Sequence, residues 1–271
     1  MRSTIVILVV VFAILGMLLG FSESFNIQME NPASVAVATV ENRINQAIIA
    51  MEKTSELDEV KRTDYVDSID VMQMGIPEDA DVDKREVARQ LLAGHTEFAS
   101  IFFLTPSGDL YLGEPYEQQE QLPRLNYADR DWYKGVSATG EPYVSSVFMS
   151  AAVHVPAVAV AVPVFENEQT VGYWVAIVNL GDIESDLEEI AGESRILLVD
   201  HNATEIVDTG RTGQLTELQS FAQLKSVQRA LSGESGTMVE SVDGVEMNAR
   251  FAPARAHPNT WAIVILDEIS S

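Results

Sequence analysis

The sequence predicts an α+β fold, because two stretches with hairpin patterning are each followed by helical and strand-like patterns. The first hairpin pairs apolar runs at residues 101–104 and 110–112 around a Pro/Gly turn at 105–109. The second repeats this layout, with runs at 196–199 and 205–207 around a polar turn. We therefore expect two related modules whose likeness is architectural, since residue identity between the halves is weak.

A long helix is predicted over residues 31–67, ahead of the first hairpin. The apolar residues that fall on one face of it at helical spacing are Val37, Val40, Ile44, Ile48 and Met51. A second helix is predicted to end near Gly94, and two more are predicted over residues 182–190 and 221–231. The domain division that we predict is an N-terminal segment at 1–22, the long helix at 31–67, and modules at 68–181 and 182–271.

The remaining strands follow the two hairpins. They are predicted at 143–149, 153–165 and 171–180 in the first module, and at 236–242, 245–252 and 260–266 in the second.

The N-terminal segment is apolar and has no charge between Ser3 and Ser22. About 20 such residues cross a bilayer as a helix. Arg2 precedes the segment and Glu23 follows it, so the positive-inside rule places everything after Phe21 on the extracytoplasmic side. This predicts a single-pass protein of the cell membrane. The alternative is a signal peptide cleaved near residues 20–22, which would make the domain secreted.

Composition excludes several classes of function. The net charge of −24 argues against nucleic acid as a partner, because phosphate binding needs clustered Lys and Arg. The absence of cysteine excludes disulfides, zinc–thiolate sites and thiol catalysis. Asp79, Asp81 and Asp83 have calcium-loop spacing, but Lys84 stands where such a loop needs glycine. We predict no metal, no cofactor and no enzymatic activity, since catalytic motifs are also missing.

One stretch, residues 126–135, concentrates groups that could bind a ligand, and we predict it to be a loop. Arg130 offers a planar fork for a carboxylate, while Trp132 and Tyr133 add donors beside apolar rings. Together they suit a small anionic or zwitterionic ligand in a partly apolar pocket. The alternative is structural: Trp132 and Tyr133 fill the core, and Arg130 pairs with Asp129 or another acid.

With this block, the sequence resembles the double Cache domains, the extracytoplasmic sensors of chemoreceptors and sensor kinases. The resemblance covers about residues 31–268 and includes Arg130-x-Trp132-Tyr133, the run at 140–143 that opens a strand, and residues 172–183. It implies two PAS-like antiparallel-sheet modules on one long stalk helix. The ligand would lie in the membrane-distal module, 68–181, and the membrane-proximal module would be 182–271.

The resemblance also implies ligand-binding residues. In amino-acid-binding members, the Arg and Trp of the block hold the ligand carboxylate, which maps to Arg130 and Trp132 with Tyr133 beside them. Those members have a further Tyr five residues before the Arg. Here that position is Leu125, and Tyr127 is a nearby substitute.

The positions that anchor the ligand's amino group have lost their acids. The family's Tyr-x-Asp becomes Tyr143-x-Ser145, and an Asp at the end of the module's last strand becomes Asn179. An ammonium group would lose charge-assisted hydrogen bonds worth ~1.5–3 kcal/mol, so we expect a carboxylate ligand without an obligatory amine. His154 could add a hydrogen bond, although a histidine satisfied within the sheet is the alternative.

The sequence therefore predicts an extracytoplasmic sensing domain for a small organic acid or amino acid. The alternative is a structural or protein-interaction domain on the cell surface with a vestigial pocket. Because the chain ends shortly after the last predicted strand, we expect no output domain within it and a membrane signalling partner in its place. A fragment of a longer receptor would look the same.

Overall fold

The computed structural model describes residues 31–150, 155–211 and 217–269. Within these ranges no helix is both long and apolar enough to span a bilayer. The predicted membrane or signal segment at 1–22 lies outside the described residues, as does His154.

Helix α1 (Pro32–Ser55) buries one face along its whole length. Its fully buried residues recur three or four apart, as the sequence pattern predicts. They include Ala36, Val40, Ile44, Ala47 and Met51.

This helix ends at Ser55, so the predicted extent to residue 67 is too long. Thr54 Oγ1 donates to the Ala50 carbonyl at 2.9 Å, and Ser55 Oγ donates to the Glu52 carbonyl at 2.7 Å. Hydroxyls that bond backbone carbonyls in this way compete with further helical turns. The apolar periodicity also stops at Met51, and the chain continues through a short helix α2 (Asp58–Lys61).

The first sheet is antiparallel. Its strands are β1 (Phe98–Leu104), β2 (Leu110–Glu114), β3 (Tyr143–Val144), β4 (Phe148–Met149), β5 (Pro156–Glu166) and β6 (Gln169–Asn179). The order is β2-β1-β6-β5-β3, with β4 also paired to β5. The helices of this half are α3 (Val82–Gly94), α4 (Tyr116–Glu120) and α5 (Asp131–Thr139).

The second sheet follows helix α6 (Gly181–Ala191) and is also antiparallel. Its strands are β7 (Arg195–Val199), β8 (Glu205–Asp208), β9 (Gly236–Val242), β10 (Val245–Ala256) and β11 (Asn259–Glu268), with helix α7 (Lys225–Leu231) before β9. The order β8-β7-β11-β10-β9 repeats the order β2-β1-β6-β5-β3 of the first sheet, in which β4 is an additional strand. The predicted α+β fold and its architectural repeat are thereby confirmed.

Each sheet buries both of its faces. Helix α1 packs on one face of both sheets and shares a single core with them, which includes Phe103, Trp174 and Trp261. The other face of the second sheet is closed by α7. The other face of the first sheet is covered by α5 and the chain before it, and Trp132 and Val136 are buried there.

The predicted strand at 143–149 is interrupted, leaving β3 and β4 as two short strands. Between them, Ser145 Oγ donates to the Ser146 carbonyl at 2.6 Å and accepts from the Ala159 amide at 2.8 Å. The Ser146 amide donates to a side chain, Asp131 Oδ2, at 2.7 Å. Side-chain partners have replaced part of the strand ladder.

Candidate ligand-binding site

The block that contains Arg130 and Trp132 forms the start of helix α5, where a loop was predicted. Arg130 is the N-terminal cap residue with extended backbone angles, and the helix ends at Gly140, whose φ is +68°. Trp132 and Val136, four residues apart, are the buried residues of this helix. Their spacing gives α5 one apolar face toward the first sheet.

Between this face and the sheet lies a cavity of about 70 Å³. Its walls are mostly apolar, and the polar groups are few. The lining residues are Ser100, Phe102, Leu104, Leu110, Leu122, Pro123, Tyr127, Arg130, Trp132, Phe148, Ser150, Val175 and Ile177. None of these is acidic.

The floor of the cavity comes from two neighbouring strands and was missed by reasoning from the sequence. Alternate residues of a strand share a face, so Ser100 and Phe102 of β1 lie on the cavity side while Ile101 faces α1. Across the strand pair, Phe102 is in register with Val175 and Ser100 with Ile177. The alternation was visible in the sequence, but both faces of β1 are apolar, and the pattern alone did not tell them apart.

Arg130 has no ion pair and no side-chain hydrogen bond to any described residue. Its guanidinium carbon lies 5.8 Å from the centre of the Phe148 ring, another cavity wall. Asp129, the expected structural partner, pairs with Arg124 instead, with Nη2 2.7 Å from Oδ1. Asp131 is also engaged elsewhere, since Oδ2 accepts from Ser146. The cation is therefore available to an anion in the cavity.

Tyr127 supplies a second available polar group. Its hydroxyl is buried and has no hydrogen-bond partner among the described residues. Burial raises the pKa of this tyrosine, so the hydroxyl remains neutral and can donate. A buried hydroxyl without a partner costs ~1–3 kcal/mol, which a ligand oxygen would offset.

Tyr133 and Tyr143 lie beside the cavity without lining it. The Tyr133 hydroxyl donates to the Pro106 carbonyl at 2.6 Å, and its ring packs edge-on against Tyr173 at 5.1 Å. Tyr143 of β3 packs its ring on α5 at Gly135, where a Cβ would fall 2.1 Å from Cδ2. Both tyrosines thus fix α5 to its surroundings.

The side chains of two other predicted site residues form hydrogen bonds with backbone groups. Ser145 is fully buried and bonded to Ser146 and Ala159. Asn179 is exposed, and its Oδ1 accepts from the Gly181 amide at 2.9 Å, at the start of α6. Of the residues predicted for the site, the structure brings Tyr127, Arg130 and Trp132 together at one cavity.

Comparison with solved structures gives close fold relatives at low identity. The ligand-binding domain of the Pseudomonas aeruginosa amino acid chemoreceptor PctB, in complex with L-Gln, has a TM-score of 0.64 at 14% identity, covering 88% of this chain and 88% of that one. The domain of PctC from the same organism, in complex with GABA, has a TM-score of 0.61 at 17% identity, covering 87% and 96%. At such identity the likeness shows the fold.

A third relative is the ligand-binding domain of the Pseudomonas fluorescens chemoreceptor CtaA in complex with L-isoleucine. Its TM-score is 0.60 at 16% identity, with 87% of this chain and 89% of that one covered. A comparison with curated protein sequences gave no match. The sequence profile of the Cache domain, in contrast, matches residues 21–270. That match spans both sheets and nearly the whole sequence, and the chain therefore belongs to the Cache domain family.

Proposed function

We propose that this Cache domain senses a small carboxylate, which binds in the cavity between α5 and the first sheet. The observation that carries the proposal is the available Arg130 guanidinium beside the available Tyr127 hydroxyl. An Arg fork binds a carboxylate through two parallel hydrogen bonds, and a neutral phenol can donate a third. Trp132 and Phe148 supply apolar surface for the rest of the ligand.

The size of the cavity limits the ligand. A water molecule occupies roughly 10–15 Å³ on the same scale, so about 70 Å³ accommodates a ligand of about five non-hydrogen atoms. Propionate has that size. The larger ligands bound in the related structures, L-Gln and L-isoleucine, would need the cavity to widen.

The chemistry of the walls disfavours an obligatory ammonium group. Ammonium ligands need carboxylate or several neutral acceptors, and the cavity lining contains no Asp or Glu. The neighbouring acids already have partners: Asp129 forms an ion pair with Arg124, and Asp131 accepts a hydrogen bond from Ser146. A carboxylate with a short apolar tail matches this set of groups.

The setting that we propose is extracytoplasmic. Residues 3–22 would cross the membrane as a single helix or be removed as a signal peptide, and a membrane partner would receive the signal. The related chemoreceptor domains support this proposal by analogy of fold.

Calorimetry with propionate and propionamide tests the site. The two compounds are nearly isosteric, but propionamide lacks the charge and has an NH2 donor in place of one acceptor oxygen. We expect wild-type protein to bind propionate at least tenfold more tightly than propionamide, and Arg130→Gln to remove that preference. Lys134→Gln is the matched control, because Lys134 is an exposed cation of α5 that does not line the cavity.

A panel of short carboxylates, GABA and L-isoleucine completes the test. Thermal shift detects binding because a ligand specific for the folded state raises its stability. If no member of the panel stabilises the protein, or if Arg130→Gln binds propionate like wild type, the proposed site is refuted. The vestigial pocket would then be the better interpretation.

A further inference from the structure

Residues 145–150, which we call the bridging segment, connect the ligand cavity to the second sheet. The segment follows β3 and includes β4, and it supplies two cavity walls, Phe148 and Ser150. Its backbone amides at Ser146 and Val147 donate to carboxylates on opposite sides.

On the cavity side, the partner is Asp131 at the first turn of α5. Its Oδ2 accepts from both the amide and the hydroxyl of Ser146, each at 2.7 Å. Its Oδ1 accepts from the Trp132 amide at 2.8 Å. One carboxylate therefore fixes the helix turn that carries Arg130 and Trp132 to the bridging segment, through charge-assisted hydrogen bonds.

On the other side, the partner is Asp200, which directly follows β7 and is fully buried. Its Oδ2 accepts from the Val147 amide at 2.9 Å. Its Oδ1 accepts from the amides of Asn202 and Thr204 at 2.8 and 2.9 Å, within the turn that leads to β8. The same carboxylate thus organises a turn of the second sheet and holds the residue next to Phe148.

A second tie lies just before the bridging segment. The Val144 amide donates to the His257 carbonyl at 2.8 Å, and the Asn259 side-chain amide donates to the Val144 carbonyl at 2.9 Å. His257 lies in the turn between β10 and β11, and Asn259 is the first residue of β11. Val144 is therefore fixed to the second sheet. The residues that follow are held to β5 through Ser145 and β4, and Asp200 is their direct tie to the second sheet.

We propose that Asp200 is a positioning residue for the ligand site of the first sheet. Through Val147 and Ser146 it sets the place of Asp131, and with it the orientation of Arg130 and Trp132. The coupling is reciprocal: a carboxylate that draws Arg130 into the cavity displaces Ser146 and Val147 and alters the turn at residues 200–204. The link to a ligand depends on the proposed function, whereas the positioning depends only on the contacts above.

Hydrogen exchange without ligand tests the positioning. The variant is Asp200→Asn, and the matched control is Asp208→Asn. Asp208 is also a buried carboxylate of the second sheet, but its side chain accepts from Arg195 and Gly210. We expect exchange at the Ser146 and Trp132 amides to be at least tenfold faster in Asp200→Asn than in the control, after each is corrected for its global stability. Acceleration that stops at Val147, or that is equal in both variants, overturns the proposal.

Ligand binding is the second arm, with propionate as the probe. We expect Asp200→Asn to bind propionate at least fivefold more weakly, and Asp208→Asn to bind it like wild type. Faster exchange with unaltered affinity would make Asp200 a structural tie only and would overturn the proposal. If wild-type protein binds no propionate, the proposed function fails, and the exchange arm alone decides the positioning.

Ser146→Ala keeps the proposal testable if Asp200→Asn does not fold. It removes only the hydroxyl that donates to Asp131 and leaves the Asp200 turn intact. We expect faster exchange at the Trp132 amide on one side and at the Val147 amide on the other. A change confined to Trp132 would show that the two sides are independent.

Discussion

Asp129 forms an ion pair with Arg124, whose Nη1 donates to Oδ2 at 3.0 Å and whose Nη2 lies 2.7 Å from Oδ1. It does not pair with Arg130, the next residue along the chain. The pKa of Asp129 is lowered first by the hydrogen bond from Arg124 and, to a smaller extent, by the charge of Arg130. The acid closest in sequence to the ligand-binding cation is thus occupied. Because Arg124 pairs with Asp129, the guanidinium of Arg130 remains available to a ligand.

This arrangement predicts the effect of Arg124→Gln. The released Asp129 would compete with ligand for Arg130, so affinity for propionate should fall although Arg124 itself does not line the cavity. Competition from an exposed carboxylate is weak because solvent screens it, so we expect a loss of up to about fivefold. Adding Asp129→Asn to the variant should restore wild-type affinity in calorimetry. A double variant as weak as the single one would contradict this explanation.

Tyr127→Phe should change stability and affinity in opposite directions. The hydroxyl is buried without a partner among the described residues, so its removal should raise the free energy of unfolding or leave it unchanged. The gain would be up to about 1 kcal/mol, the low end for an unsatisfied buried group. The loss of a donor to a charged acceptor should weaken propionate binding at least tenfold. Urea denaturation and calorimetry on the same samples measure both, and a marked loss of stability would show that the hydroxyl has a structural partner.

The fold could be predicted from the sequence further than the site could. The hairpin of β1 and β2 follows from a Pro/Gly turn between apolar runs, and it is present as predicted. The start of α5 was mistaken for a loop, because its polar and aromatic residues give a helical pattern only once Trp132 and Val136 are seen to face the same sheet. The helix has nine residues, which is too short a stretch for its apolar periodicity to be recognised in the sequence.

The sequence could not show which candidate site residues are free to contact a ligand, because this depends on the hydrogen-bond partners of their side chains. Asn179 stands at a family ligand position, yet its side chain accepts from Gly181 at the start of α6. Nothing in the residue type separates a ligand contact from such a local hydrogen bond. Whether Arg130 pairs with Asp129 likewise depends on Arg124, five residues from that acid, and on how the loop between them folds.

Replacing a buried arginine outside the site, Arg85, should cause a large loss of stability. Arg85 is fully buried, and its Nη1 lies 3.0 Å from Glu114 Oε1. Its remaining donors bond the carbonyls of Ile76, Pro77, Ala80 and Gly113 and the side chain of Gln119. Arg85→Met would remove the buried cation and all of these hydrogen bonds, and Glu114 would keep only those from Arg89, which should cost about 3–5 kcal/mol of unfolding free energy.

Arg89→Met is the matched control for that variant. Arg89 also bonds Glu114, but its side chain is 43% exposed, so its loss should cost at most about 1 kcal/mol. Urea denaturation compares the two variants directly. Equal costs would show that burial does not determine the worth of these ion pairs.

The buried amine of Lys84 should make the protein more stable as the pH rises into the alkaline range. Its amine is buried 3.9 Å from the centre of the Phe103 ring, and Asp81 Oδ2 lies 3.3 Å away. Burial lowers the pKa of Lys84 to about 8, from the ordinary value of 10.5. Between these two values the folded protein binds fewer protons than the unfolded chain, so the free energy of unfolding rises with pH. Below about pH 8 both states are protonated, and the penalty for burying the charge is present in full.

The comparison of wild type with Lys84→Met isolates this contribution. Urea denaturation at intervals from pH 7 to 9.5 should show a stability difference that shifts in favour of wild type as pH increases. Tyr111, whose pKa is raised by burial, lowers stability above about pH 10, but it is present in both proteins and does not by itself produce the difference. Parallel stability curves for the two proteins would mean that Lys84 keeps its ordinary pKa. Asp81 and the rings of Phe103 and Tyr111, the latter 4.3 Å from the amine, would then compensate fully for its burial.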